Sequence, residues 1–206
     1  MLTSMNAMST QIRKYELKAR AESQRETRER IAKVTTELHE EKGVAKTTVA
    51  EIARRAGVTR LTVYNHFADL SELLPACAAH YETQHPAPDL GSVLAEADPG
   101  ERVRGALARF YGWYRENEPM YGKLFSDRAT VPELDRFMAE NIDRMQAELA
   151  DDLAVAFGVR GRKRQRLDTL IRLALDFWTW RRLSREGLDD EDAAELMATA
   201  VATASG

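Results

Sequence analysis

The sequence predicts an all-α chain in two parts, a small helix-turn-helix unit followed by a larger helical one. Three observations carry that prediction. Apolar residues recur at spacings of three and four from Ile31 to Leu38, and again from Val103 through to the alanine-rich C-terminus, with no strand-like alternation between. Cap signals precede such stretches at Ser23–Glu26, Thr48–Glu51 and Asp69–Glu72, each an oxygen-bearing residue followed three positions later by glutamate. Gly43, Gly57, Gly158 and Gly187 stand where the periodicity stops, and Gly57 occupies the place at which a helix end needs a residue tolerant of positive φ.

Composition bounds the function. A chain of 206 residues with 44% hydrophobic and 31% charged content is that of a soluble globular protein with a real core. There is no run of some 18 apolar residues and no signal-peptide core, so a cytoplasmic protein without a membrane partner is expected. A single cysteine, Cys77, excludes an internal disulfide framework. The net charge of −3 hides an asymmetry: residues 1–80 hold 13 basic against 10 acidic side chains, the remainder 17 against 23. So small an excess means that any polyanion must be held by a few well-placed contacts and by dimerisation rather than by a broad basic field.

Residues 1–22 form a basic and polar arm with no apolar face, read as solvated and disordered, with a minor-groove arm as the sharper alternative. The Ser23–Glu26 box then starts a helix carrying Ile31, Val34 and Leu38, which Gly43 ends. Thr48 and Glu51 cap the next helix reciprocally. Ile52, Ala53 and Ala56 give that helix a small apolar face, Gly57 turns the chain, and Val58 fills the inside of the turn. Thr59 caps a last short helix, Arg60 to about His66, in which Val63 and Phe67 make an inward i, i+4 stripe while Arg60, Leu61, Thr62, Tyr64, Asn65 and His66 crowd the other side. An ordinary αα-corner is the plain explanation of a helix-glycine-helix pattern. The hydrogen-bonding side chains on this one favour DNA, with Arg60 and Thr62 facing bases, and Tyr64, His66, Thr47 and Thr48 meeting phosphates.

The run G-V-T-R-L-T-V-Y-N-H-F from Gly57 to Phe67, with T-T-V-A-E-I-A before it and D-L-S-E-L-L after it, resembles the TetR family of bacterial transcriptional regulators. The likeness is strong over about residues 27–81 and returns weakly from Trp180 to Met197. It implies a helix-turn-helix domain over 23–68, a linker helix over 69–85, and an effector-binding and dimerisation domain over 86–206. Two departures stand out: Leu61 and Leu70 occupy places where the family usually has glycine and a phosphate-contacting lysine.

Pro75 lies inside the linker helix and is expected to kink it. Pro86 to Gly100 reads as loop; a helix from Glu101 follows, which Pro119 should break, leaving Met120–Phe125 as a short successor. A helix from Pro132 to Gly158 and another from Arg162 to Glu186 come next, and acidic Asp189–Glu191 opens the last one. Of 15 aromatic residues 11 follow Gly100, and Phe110, Trp113, Tyr114, Tyr121, Phe125 and Trp178 are read as lining an effector pocket for an apolar or aromatic molecule, as the family resemblance implies. Each alone would serve as core. The stretch Leu170–Leu183 is apolar nearly all round, so one side is expected to face a second copy, with Leu175, Trp178, Leu196 and Ala200 in the dimer seam. Asp176 is read as the i, i+4 ion-pair partner of Arg172, with recognition of a cationic effector as the lesser reading.

No cofactor or metal is expected. Cys77, His80 and His85 have a spacing that suits a metal poorly, since only the first pair shares a helical face. No phosphate loop, H-E-x-x-H, G-x-S-x-G or dinucleotide fingerprint is present. The expected function is therefore a dimeric, effector-released repressor of a palindromic operator and not an enzyme. The alternative is a small helical ligand-binding protein or enzyme whose helix-turn-helix only packs.

Overall fold

A computed structural model describes residues 2–205, with side chains from 17 to 204. Every element among them is helical, and the chain divides into two compact units, Met1–Gln84 and His85–Gly206.

The first unit contains α1 (Leu2–Lys42), α2 (Val49–Ala56), α3 (Arg60–His66) and α4 (Leu70–Glu82). Helix α1 is already formed before the Ser23–Glu26 box, so the box is not a helix start; Ser23 instead offers its carbonyl to Thr27 Oγ1 at 2.9 Å. The arm reading of residues 1–22 falls mostly outside the described side chains. At the other end Gly43 ends α1 with φ +88°. Thr48 caps α2 by accepting from the Glu51 amide, while the Glu51 carboxylate pairs with Lys42 instead of reaching back to Thr48. Gly57 sits in the left-handed region at φ +68°, and Val58 N and Gly57 N bond the Ala53 and Arg54 carbonyls at 2.9 and 3.3 Å, a Schellman ending. Ile31, Val34, Leu38, Ile52, Ala53, Val63 and Phe67 close one core around these caps.

Helix α4 belongs to this unit. Leu73 and Cys77 join its core, and Thr36 Oγ1 on α1 lies 3.0 Å from Ala32 O and 3.3 Å from Cys77 O. Asp69 caps α4 through the Glu72 amide, and Pro75 sits within it. Cys77 is buried, and loss of hydration pushes its thiol up to about 12. Among the described residues no group of three or more His, Cys, Asp or Glu is placed to hold a metal, and no helix is long and apolar enough to cross a membrane.

The second unit holds α5 (Gly91–Leu94), α6 (Pro99–Asp127), α7 (Pro132–Met138), a π-helical turn (Ala139–Asp143), α8 (Arg144–Val155), α9 (Gly161–Leu175), α10 (Phe177–Arg185) and α11 (Asp190–Ser205). Three expectations are corrected here. Pro119 does not break α6, because its inward residues on either side, Tyr114 and Met120, are buried in one core whose packing outweighs the roughly 3 kcal/mol cost of an internal proline. The helix expected over 132–158 is interrupted by the π turn. That extra residue shifts the register, so no residue from 139 to 148 is buried and Met145 is 38% exposed, whereas Leu134, Met138, Leu149 and Leu153 face inward.

The helix expected over 162–186 breaks at Asp176, which adopts an extended conformation and caps α10 by accepting from the Trp178 and Thr179 amides at 2.8 and 3.1 Å. Arg172 pairs with Asp151 at 3.1 Å, not with Asp176. The break frees the last carbonyls of α9, and two buried phenols take them: Tyr111 Oη donates to Ala174 O at 2.7 Å and Tyr114 Oη to Leu175 O at 2.8 Å. It also resolves the all-round apolar stretch, since Ile171, Leu175, Phe177 and Trp180 all turn inward while Leu173 and Trp178 remain outside. Leu175 is wholly buried in its own chain and so cannot lie in a seam with a second copy.

Helix α11 docks on α6 and α9 through Ala193, Ala194, Ala198 and Val201. Its first turn is tied down by Asp190, which takes Arg115 at 2.7 and 2.8 Å and Trp180 Nε1 at 3.0 Å. Burial alone would raise the Asp190 pKa, but Arg115 and the indole outweigh it and hold the carboxyl below its ordinary value.

Candidate nucleic-acid interface

Helix α3 has only seven residues, too few to persist alone, so its neighbours must hold it. Val63 and Phe67 anchor it, each 2% exposed. On the opposite side Arg60, Leu61, Tyr64 and Asn65 are exposed, Leu61 by 68% and Tyr64 by 52%, while Thr62 and His66 are half-buried. Arg60, Leu61, Tyr64 and Asn65 therefore share one outward face, with Thr62 and His66 at its edge.

The threonines have divided duties. Thr59 Oγ1 caps α3 by accepting from Thr62 N at 3.0 Å and lies 2.9 Å from Thr62 Oγ1, so these two hydroxyls engage each other. Thr48 Oγ1 accepts from the Glu51 amide at 3.3 Å, which leaves its proton available to a phosphate. Thr47 Oγ1 donates to Gly43 O at 2.7 Å, so its proton is already committed. Of the two threonines ahead of α2, Thr48 alone has a hydroxyl proton to give.

The departures from the usual family pattern have distinct surroundings. Leu61 points out with nothing covering it. Leu70 is half-buried and lines, with Val44, Ile52, Val63 and Phe67, an apolar recess of about 280 Å³ behind α3. Two residues that pattern reading missed belong to the site's support: Arg28 donates to His66 O and lies 3.9 Å over the Phe67 ring, and Arg30 Nε donates to Ala56 O at 3.0 Å. Their only sequence signal was a basic residue on either side of Glu29, just ahead of the first core residue, Ile31.

In the second unit the aromatic residues named as an effector lining are gathered into one cluster. Trp113 and Tyr121 rings are 4.6 Å apart, Phe110 meets Trp113 at 6.5 Å, and Tyr121 meets Phe125 at 6.2 Å. Phe125 stacks on Phe177 at 5.1 Å, and Phe177 touches Trp178 at 5.2 Å. Phe110 and Tyr114 are nearly inaccessible, and the Tyr114 hydroxyl is spent on Leu175 O and on Gln146 Nε2 at 2.7 Å. Trp113 Nε1 is buried without a hydrogen-bond partner among the described residues. Of the proposed seam, Trp178 (41%) and Leu196 (50%) are exposed, Ala200 is half-buried, and Leu173 (52%) is a further exposed apolar residue.

Residues 31–77 match the family model described as bacterial regulatory proteins, tetR family. The HTH-type transcriptional regulator SrpR of Pseudomonas putida is 45% identical over 71 residues, 32% of each chain. An uncharacterized HTH-type transcriptional regulator of Mycobacterium tuberculosis is 30% identical over 120 residues, 58% of this chain and 59% of its own. The chain thus spans between about a third and three fifths of these curated relatives. The crystal structure of NalD, the secondary repressor of the MexAB-OprM multidrug efflux pump in Pseudomonas aeruginosa, superposes with a TM-score of 0.56 over 89% of this chain and 97% of that one, at 23% identity, a likeness of fold.

Proposed function

We propose that the chain is a member of the TetR family of bacterial regulatory proteins, whose model its residues 31–77 match, and that it is a homodimeric transcriptional regulator that represses at a palindromic operator until a small-molecule effector releases it. Family membership sets it among regulators rather than enzymes. The observation that carries the reading is the outward face of α3, where Arg60, Leu61, Tyr64 and Asn65 stand free on a helix whose two caps and inner stripe are satisfied internally. Arg60 and Thr62 read base edges; Tyr64, His66 and Thr48 bind phosphates, and Thr47, its hydroxyl bound to Gly43 O, holds the turn ahead of α2. With two such helices in a two-fold dimer, half-sites are spaced by one turn of B-DNA, about 34 Å, or a multiple of it.

Trp178, Leu196 and Ala200, joined by Leu173, form the dimer seam, an exposed apolar set on α9, α10 and α11 that water disfavours. The effector binds beside the half-buried Trp113 and Tyr121, over the buried Phe110 and Phe125, where the unpartnered indole N–H of Trp113 would reward a ligand carrying an acceptor oxygen or nitrogen. Binding is coupled to DNA through the chain's passage from the first unit to the second at Gln84–His85, since Pro75 lies between Leu73 and Cys77 of the first unit's own core and is no hinge between units, and the two affinities change by a common factor worth typically about 1–3 kcal/mol. The protein acts in the cytoplasm, on promoter DNA.

The test is a fluorescence-anisotropy titration with duplexes from around the protein's own gene. A salt-sensitive, sequence-selective complex is expected. Binding that is absent, or equal for all sequences, refutes the reading.

A further inference from the structure

We infer that Arg28 and Arg30 are positioning residues, which set the register of the DNA-reading helix by capping the C-terminal ends of both helices of the helix-turn-helix; the inference rests on the DNA-reading function proposed above. The last carbonyls of a helix lack donors within it. In α2, Ala53 O and Arg54 O are served by the Schellman turn, and Ala56 O, the last carbonyl of the helix, receives Arg30 Nε at 3.0 Å. In α3, Val63 O is served by Phe67 N at 2.9 Å, and His66 O, at the helix's end, receives Arg28. Each guanidinium also brings positive charge to the negative end of a helix.

These two bonds supply something the apolar core cannot. Ile52, Ala53, Ala56 and Val63 hold the helices against α1 by hydrophobic contact, which resists separation but has no preferred direction, so α3 has little to stop it sliding along its axis or rolling about it. Hydrogen bonds weaken steeply with misalignment. A slide of α3 breaks the Arg28 bond to His66 O, and a roll carries the Phe67 ring from beneath the guanidinium 3.9 Å above it. Slide and roll are the two displacements that decide which base edges Arg60 and Thr62 meet. Both arms leave α1 in the turn just ahead of Ile31, which is fully buried in the core. Helix α1 therefore serves as the jig on which the reading helix is set. Arg25, three residues before Arg28, offers the contrast, since its recorded ion pairs, to Glu22 and Glu29, stay within α1.

The experiment uses the full chain with Arg28→Met, Arg30→Met, Arg28→Lys and, as control, Arg25→Met. Two quantities are read: amide hydrogen exchange without DNA, and affinity for a selected operator against a scrambled duplex of equal length. Arg28→Met is expected to quicken exchange at Val63 to Phe67 by about tenfold while α1 core amides keep their protection, and to lower the operator-to-scrambled ratio by about tenfold with scrambled affinity held within about twofold. Arg30→Met should do the same less strongly. Arg28→Lys should restore only part, because an ammonium can bond the carbonyl but cannot lie flat on Phe67. Unchanged α3 exchange in Arg28→Met overturns the inference. So does an equal loss on both duplexes, which would make Arg28 a plain phosphate contact. A wild-type chain that binds no duplex selectively refutes the DNA-reading function instead, and the exchange measurement then still decides whether the arginines hold α3.

Discussion

Replacing Tyr111 by phenylalanine removes a single oxygen, and that oxygen holds the helix break at Asp176 in place. Its hydroxyl donates to Ala174 O at 2.7 Å, and both Tyr111 and Ala174 are fully buried, so water cannot take over when it goes. The ring stays, and the packing loss is small. What remains is a buried carbonyl with an unmet acceptor site, which costs about 1–3 kcal/mol. Taking about 2 kcal/mol for a unit of this size, the melting temperature should fall by roughly 5–10 °C. Tyr114→Phe is expected to cost less, about 1 kcal/mol, because Leu175 O keeps a second donor, Gln146 Nε2, at 3.2 Å. Urea unfolding followed by tryptophan fluorescence is the assay of choice, since Trp113, Trp178 and Trp180 all lie in the second unit and report on it alone. A Tyr111→Phe cost below about 0.5 kcal/mol, the range of an ordinary surface change, would refute the argument that these phenols satisfy the break.

Other expectations follow from the same geometry. Arg60→Ala should cost about 1–3 kcal/mol of operator affinity and relax sequence preference, whereas Tyr64→Phe should weaken all duplexes alike, and a binding-site selection distinguishes the two patterns. Trp178→Glu and Leu196→Glu should yield folded monomers in sedimentation, because both residues are exposed within one chain; Leu175→Glu should instead unfold the protein by burying a charge in its own core. Stability should fall on the alkaline side. Burial raises the Cys77 thiol from about 9 and the Tyr81 phenol from about 10, each to about 12, so the stability that these neutral groups contribute is complete below pH 9 and is lost as the pH climbs toward 12, which urea midpoints at pH 8, 10 and 11 will register. Finally, compounds that raise the melting temperature should weaken operator binding in titration, and tight ligands that leave it unchanged would show that the effector site is not coupled to DNA.

The parts of this protein that could be read directly from its sequence are those whose partners are near neighbours in the chain. The caps at Thr48, Thr59 and Asp69, the glycine ends at Gly43 and Gly57, and the inward stripe of Val63 and Phe67 are settled within a turn or two of helix, so spacing is enough to place the candidate reading face. Even there the reach of local rules is short: the capping-box pattern sends the Glu51 carboxylate back to the Thr48 amide, and the fold pairs it with Lys42 instead. Where a partner lies far along the chain, no local pattern names it. Arg28 meets a carbonyl 38 residues on, and Tyr111 meets one 63 residues on. Pro119 carries the same local penalty anywhere in a helix, and only the shared core of Tyr114 and Met120 decides that the helix continues through it. The apolar run around Leu175 satisfied the periodicity of one long helix, but that helix would have turned too much apolar surface outward. Breaking it at Asp176 hides Leu175, Phe177 and Trp180 together, and the break persists because two tyrosines from another helix satisfy the carbonyls it exposes.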